Sequence, residues 1–302
     1  MNRIAVHNKD FHADDVFAIA ILKLIFPKVK VIRTRDEKEL KEVDARIDVG
    51  RIYNPKTNDF DHHQQGGAGE RKNGIPYASA GLIWKHFGRN LVSSDDVFGY
   101  IDKKIIQYVD ANDVGIDTYT IKKLDPYTIA DFISGLNPPW PIQTEELYNK
   151  YFNEAVLVIT NLLSREIQAA EGIIKSRETI RKEIKKSNGD YLVLDDYLPW
   201  RETVIEESNL KYVVFYDKFE DHWCILAVPV SINSFENRKN LPKEWAGLAE
   251  EDLQKVTGVK DAKFCHNKLF IAIAKSKEGA IRLVELALKN PTQIGGKTRK
   301  KA

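Results

Sequence analysis

Near the amino end of the chain, three short apolar runs each lead straight into a segment dense in carboxylates and imidazoles. Ile4-Ala5-Val6 precedes His7-Asn8-Lys9-Asp10-Phe11-His12-Ala13-Asp14-Asp15, the run Ala45 to Val49 carries Asp48 before Gly50, and the approach to Phe60 precedes Asp61-His62-His63. A fourth acidic segment, Val109-Asp110-Ala111, ends a helical pattern. Runs this short read as strands. Polar groups gathered where strands end are what an open α/β sheet collects at its ligand-binding carboxyl edge.

The pattern between these runs alternates. Arg3 to Val6 reads as a strand, Asp14 to Ile25 as an apolar helix with Asp14 and Asp15 in its first turn, and Val29 to Arg33 as a second strand. A short helix over Asp36 to Glu42 and a third strand over Ala45 to Val49 follow. This alternation predicts a doubly wound, mainly parallel α/β sheet within residues 1–136. The loop Gln64 to Ile75, with glycines at 66, 67, 69 and 74, reads as exposed beside the site, and Tyr77 to Phe87 and Val97 to Val109 read as helices. Asn137-Pro138-Pro139-Trp140-Pro141 stops the helical pattern, because proline blocks helix continuation. It opens a helical connector over residues 137–187, with Glu145 to Lys186 almost continuously helical in character. Strand-like Tyr191 to Leu194, Tyr212 to Tyr216 and Trp223 to Val230, with a helix over Gly279 to Leu288, predict a smaller α+β domain over residues 188–292. The basic tail, residues 293–302, reads as disordered.

Charge and composition narrow the classes. Lys plus Arg number 46 against 44 Asp plus Glu, a net charge of +2, so there is no global basic field and any polyanion must be held locally. Val16 to Phe26, interrupted by Lys23, is too short to span a bilayer, and no leader pattern precedes it. The reading is therefore a cytoplasmic protein with no membrane partner. Cys224 and Cys265 form no CxxC pair, fit a reducing compartment and read as buried apolar fillers.

His7, His12 and Asp14 share one strand-to-helix loop, where a helix amino end also attracts anions. Asp48, after the third strand, is placed to bridge two ions. Singly, each has a plainer reading: Asp14 or Asp15 as a helix cap, Asp48 as a turn residue with Gly50, His7 as a core histidine. The conjunction outweighs these, since five of the seven histidines fall between His7 and His86 and four of them lie in the acidic motifs. Such a set suits a two-metal hydrolase, whose ions, about 3.5–4 Å apart, stabilise the attacking and leaving oxygens of a phosphoryl displacement. Mixed imidazole and carboxylate ligation favours Mn2+, with Mg2+ and Co2+ as alternatives.

The ordered set of HxDD-type loop, Asp-Val-Gly, Asp-His-His and later Asp resembles the DHH phosphoesterase superfamily and, more narrowly, the MYG family. The narrower resemblance also rests on Arg33-Thr34-Arg35-Asp36, Ser79-Ala80-Gly81-Leu82-Ile83-Trp84, Leu136-Asn137-Pro138-Pro139-Trp140, Ser234-Phe235-Glu236-Asn237-Arg238-Lys239 and Leu241-Pro242-Lys243-Glu244-Trp245. It implies a DHH-type fold and a metal-dependent hydrolase, with eukaryotic relatives associated with 3′–5′ RNA exonuclease activity. It also implies metal ligands at His7, His12, Asp14, Asp48, His62 and Asp110, with Asp113 the other candidate for the fourth motif and His63 facing the substrate phosphate. His12 stands where the wider superfamily commonly has aspartate, and Ala272-Ile273 replaces a glycine pair, a departure that bears on close backbone approach there. Arg238, Lys239 and His266 read as a phosphate-gripping surface of the second domain.

The expected activity is hydrolysis of RNA or short oligonucleotides by a hydroxide that two divalent ions activate, with Asp48 bridging and His63 stabilising transition-state charge. The alternatives are a hydrolase of pyrophosphate or a cyclic dinucleotide, and a metal-stabilised binding module without turnover. A homo-oligomer is compatible with all three.

Overall fold

The computed structural model describes residues 1–120, 124–187 and 189–291, so the basic tail at 293–302 lies outside the described residues. The chain divides into two compact units, Met1–Glu171 and Gly172–Ala302.

The first unit is built on a five-stranded sheet of β1 (Arg3–Val6), β2 (Lys30–Arg33), β3 (Ala45–Ile47), β4 (Tyr53–Asn54) and β5 (Asp59–Phe60), in the order β2-β1-β3-β5-β4. All neighbours pair in parallel except the short edge strand β4, which returns antiparallel to β5. The chain leaves β1 for β2 on one side and then crosses to β3 on the other, so the order reverses at β1 and β3. Helix α1 (Ala13–Ile25) is buried throughout Val16 to Leu22, as a helix apolar on all sides must be, and it packs against α3 (Ser79–Phe87). A short α2 (Glu37–Leu40) lies between β2 and β3 and is capped by Asp36, whose carboxylate accepts from the amides of Lys38 and Glu39.

The helix expected over Val97 to Val109 is longer and not uniform. It runs as α4 (Asp95–Ile101), a π turn (Asp102–Ile106) and α5 (Gln107–Asp113). The extra residue of a π turn changes the phase of the helix beyond it, and the helix ends on Asp113 instead of Asp110. A short α6 (Ile129–Ser134), which the sequence reading passed over, precedes α7 (Glu145–Lys186), a helix of 42 residues.

The second unit has its own five-stranded sheet: β6 (Tyr191–Leu194), β7 (Tyr212–Asp217), β8 (His222–Ala227), β9 (Ala262–Cys265) and β10 (Ile271–Ala274), ordered β6-β7-β8-β10-β9. Only β6 and β7 are parallel. Both faces are covered. Tyr212, Val214, Ile225 and Ala272 meet Leu253 of α9 (Glu250–Thr257) and Leu283 of α10 (Lys277–Lys289) on one face. Val213, Phe215 and Cys224 meet Ile180, Trp200 and Val204 of α8 (Arg201–Glu207) on the other. The two sheets are therefore mixed, which agrees with the expected α/β class.

Candidate metal centre

Strand register alone brings the motifs together. Val6 pairs with Ile47 and Ile47 with Phe60 across parallel neighbours, so His7, Asp48 and Asp61 leave three adjacent strands at the same level. Asp48 has φ +52°, in the left-handed region that few side chains other than Asn and Asp adopt readily.

His7 Nε2 lies 3.1 Å from an oxygen of Asp15 and 3.3 Å from one of Asp48. The His12 ring is 5.7 Å from that of His7. His62 Nε2 faces three carboxylates: Asp113 at 3.1 Å, Asp48 at 3.5 Å and Asp14 at 3.8 Å. His63 is turned differently. Its Nδ1 and backbone amide both donate to Asp61 Oδ1, at 2.7 and 3.0 Å, while the Arg51 amide donates to Asp61 Oδ2 at 2.7 Å. The buried Asp61 thus orients His63 and leaves Nε2 for a ligand in the cleft. Ser79, which had no assigned role, donates its hydroxyl to Asp48 at 3.1 Å.

The loop that carries His7 and His12 is fastened residue by residue. Arg35 donates to the Asn8 carbonyl at 2.6 Å, Arg33 to that of Lys9 at 2.5 Å, and the Tyr148 hydroxyl to Asp10 at 2.8 Å. Asn137 then makes two bonds to the Phe11 backbone, 3.0 and 2.9 Å, and the His12 amide donates to Asp15 at 2.8 Å. The Arg33 guanidinium stacks on Phe152, 4.5 Å from the ring centre.

The two acids at the start of α1 divide their work in a way the sequence did not show. Asp15 takes the His12 amide at the start of α1 itself. Asp14 caps a different helix: its carboxylate accepts from the amides of Ser79 and Ala80, at 3.0 and 2.5 Å, where α3 begins on Ala78 without a side-chain cap of its own.

Asp110 is not brought into the cluster. Its carboxylate accepts from the Gly81 amide at 2.8 Å and from Arg71 at 2.6 Å, and a Cβ on Gly81 would stand 1.8 Å from Asp110 Oδ2. Asp113, one turn later, points to His62 instead. In the second unit, Arg238 donates to the carbonyls of Leu210 and Ile205, and Lys239 to those of Leu288 and Asn290. Both head groups are spent inside that unit. His266 Nδ1 accepts from the Lys268 amide at 3.0 Å.

The charges at the strand ends are unbalanced in the direction a cation would correct. One ring nitrogen can serve only one carboxylate, yet His62 Nε2 faces three, and it and Asp15 Oδ2 are buried without a well-formed hydrogen bond. Burial alone would lower the histidine pKa values, but Asp15 and Asp48 lift His7 to about 10, and Asp113 and Asp48 lift His62 to about 11. Burial and the neighbouring carboxylates, Asp48 first among them, push Asp14 well above the ordinary range. Asp48 moves the other way: burial opposes its charge, but His62 and His7 hold it far below that range. Among the described residues, ligand atoms of Asp48, His62 and His63 lie within 4.8 Å of one another, as do those of Asp14, His62 and Asp113, a mixed imidazole and carboxylate set that suits a divalent cation. The cleft in front of them measures about 1410 Å³, with Arg35, Lys41 and Arg51 on its wall.

Residues 3–288 match the family model for the MYG1 exonuclease family, described as "Uncharacterised protein family (UPF0160)". The chain is 32% identical over 325 residues to the MYG1 protein of Saccharomyces cerevisiae, covering 95% of each chain. It is 30% identical over 308 residues to the MYG1 protein of Dictyostelium discoideum, covering 92% of this chain and 94% of that one. It is 28% identical over 323 residues to the MYG1 exonuclease of Homo sapiens, covering 95% of this chain and 85% of that one. With the strand-end motifs and both sheets inside the matched span, the chain belongs to the MYG1 exonuclease family.

Proposed function

We propose that this protein is a divalent-metal-dependent phosphoesterase with a DHH-type catalytic unit, acting as a 3′–5′ exonuclease on RNA or short oligonucleotides. The observation that carries this reading is His62 Nε2 facing Asp14, Asp48 and Asp113 beside His7. The name exonuclease printed for the mammalian relatives supports it.

His7, His12 and Asp48 would hold one ion, and Asp14, Asp48, His62 and Asp113 the second, with Asp113 taking the fourth-motif role in place of Asp110. When bound, Mn2+ or a similar ion supplies Lewis-acid stabilisation of phosphate oxygens and makes water acidic enough to attack at neutral pH. The protein's own work is placement. Asp61 fixes the His63 ring so that Nε2 can meet a phosphate oxygen as charge develops there, and Ser79 steadies Asp48. Small-ligand pockets usually hold about 300–1,000 Å³. A cleft of about 1410 Å³ with Arg35, Lys41, Arg46 and Arg51 on its wall suits a polyanion longer than pyrophosphate.

The test is chelator-stripped protein given end-labelled short RNA, short DNA and pyrophosphate, each with Mn2+, Mg2+, Co2+ or chelator. Stepwise shortening of the oligonucleotide from its 3′ end with Mn2+ is the expected result. Turnover of pyrophosphate alone would make it a small-phosphate hydrolase. Metal uptake with no turnover of any phosphoester would make it a binding module.

A further inference from the structure

A second cluster of ligand-type side chains stands in the second unit. Asp217 closes β7 and His222 opens β8, and the register pairs Asp217 with His222 and Phe215 with Cys224. Opposed residues of an antiparallel pair project to one face, as do residues two apart on one strand. Asp217, His222 and Cys224 therefore share a face at the hairpin end. A carboxylate oxygen, an imidazole nitrogen and the sulfur of these three lie within 4.8 Å of one another.

Two further observations concern the same side chains. His222 is only 7% exposed, and its Nδ1 is buried without a hydrogen-bond partner, a state that costs free energy unless a ligand relieves it. Asp217 is fixed in place, because its Oδ1 accepts from the turn amides of Phe219 and Glu220, at 3.0 and 3.4 Å. Among the described residues, no hydrogen bond engages its Oδ2. Cys224 is a free, buried thiol.

We propose that Asp217, His222 and Cys224 form a metal site distinct from the strand-end centre, which takes a zinc-like divalent transition ion. One sulfur, one nitrogen and one oxygen donor make a set that Zn2+ or Co2+ accepts and that Mg2+ and Ca2+, which prefer oxygen alone, do not. The fourth position is left to water, which the half-buried Asp217 admits. Cys224 is a buried thiol, so the incoming ion displaces the sulfur proton into solvent as the metal–sulfur bond forms. The bound ion staples the β7–β8 turn. Cys265, whose sulfur meets the His266 carbonyl at 3.8 Å, remains an apolar filler.

Cobalt is the probe, because a thiolate ligand gives a near-ultraviolet sulfur-to-cobalt absorption band and the strand-end centre contains no cysteine. Titrating Co2+ into the chelator-stripped full chain should raise this band to saturation, and Zn2+ should abolish it by competition. Cys265→Ser and Asp48→Asn should keep the band. Cys224→Ser should lose it, and His222→Gln, which retains the thiol, should weaken Co2+ affinity about tenfold or more. The proposal is overturned by the absence of a band in the wild-type chain, by a band that survives Cys224→Ser, or by unchanged affinity in His222→Gln. If Cys224→Ser does not fold, the His222→Gln affinity decides alone.

Discussion

Asp48 combines a left-handed backbone with contacts to the imidazoles of His7 and His62, so charge and conformation can be separated there by one substitution. Asn tolerates the same φ. Asp48→Asn should therefore keep the backbone conformation, lower the melting temperature of the metal-free protein near neutral pH by removing a carboxylate that His7 and His62 face, remove nearly all turnover and weaken Mn2+ uptake; near-wild-type kcat at saturating Mn2+ would defeat the bridging role. The adjacent imidazoles should part company. His62→Ala should lose metal by elemental analysis after desalting, whereas His63→Ala should keep metal and lose about 10²–10³-fold in kcat. Equal metal loss in both would refute this division. Proton linkage gives a third expectation. His7 and His62 have folded-state values raised to about 10 and about 11, so without metal their contribution to stability is complete below the ordinary value of 6.5 and is lost as pH rises through those raised values. The melting temperature in chelator should fall as pH rises from about 7 to about 10, and metal loading should release protons, measurable by titration calorimetry in buffers of different ionisation enthalpy. Calorimetry that shows no proton release would place the ion elsewhere. The sequence showed most of these residues, since His7, Asp48 and Asp61 need only strand ends. Asp15 was legible only as a helix cap, which it is, but its approach to His7 and the part of Ser79 depend on how α1 and α3 meet.

At the scale of the element, the helix that carries the fourth motif decides which acid does what. The π turn at Asp102–Ile106 and the continuation to Asp113 leave Asp110 beneath α3, against Arg71 and the Gly81 amide, and put Asp113 beside His62. Sequence periodicity places a helix there but not a change of phase within it, which is why the two acids stayed interchangeable on paper. Asp110→Ala leaves Arg71 paired with Asp102 but strips the Gly81 amide and one guanidinium nitrogen of their buried acceptor, and should cost about 1–3 kcal/mol of stability in denaturant titration. Asp113→Asn should cost little stability and reduce metal occupancy. The opposite pattern would return the ligand role to Asp110. The short strand β4 and helices α6, α8 and α9 were invisible for a plainer reason: elements of two to eight residues carry too few periods to stand out.

For the whole molecule, two compact units, each with its own sheet and buried cluster, mean that stability need not be lost in one step. Mn2+ bound at the strand ends should slow amide exchange within residues 1–171 and leave the rest unchanged, as read by hydrogen-exchange mass spectrometry. Slowing spread evenly over both units would argue against a centre confined to the first. Parallel alternation made the first unit readable from its amino acids, while the second, with one parallel pair and three antiparallel ones, depends on long-range pairing that local pattern does not encode.

The fastening of residues 8–12 has a consequence for how the centre is supplied. Arg33, Arg35, Tyr148, Asn137 and Asp15 hold that loop, and none of them is among the proposed ion ligands. An ion bound as proposed would therefore leave, and another enter, without the loop melting. Occupancy then follows the free concentrations around the protein and the intrinsic affinity order of the metals, not the ion present when the chain first folded. Which metal works there becomes a property of the surroundings and not of the molecule's history.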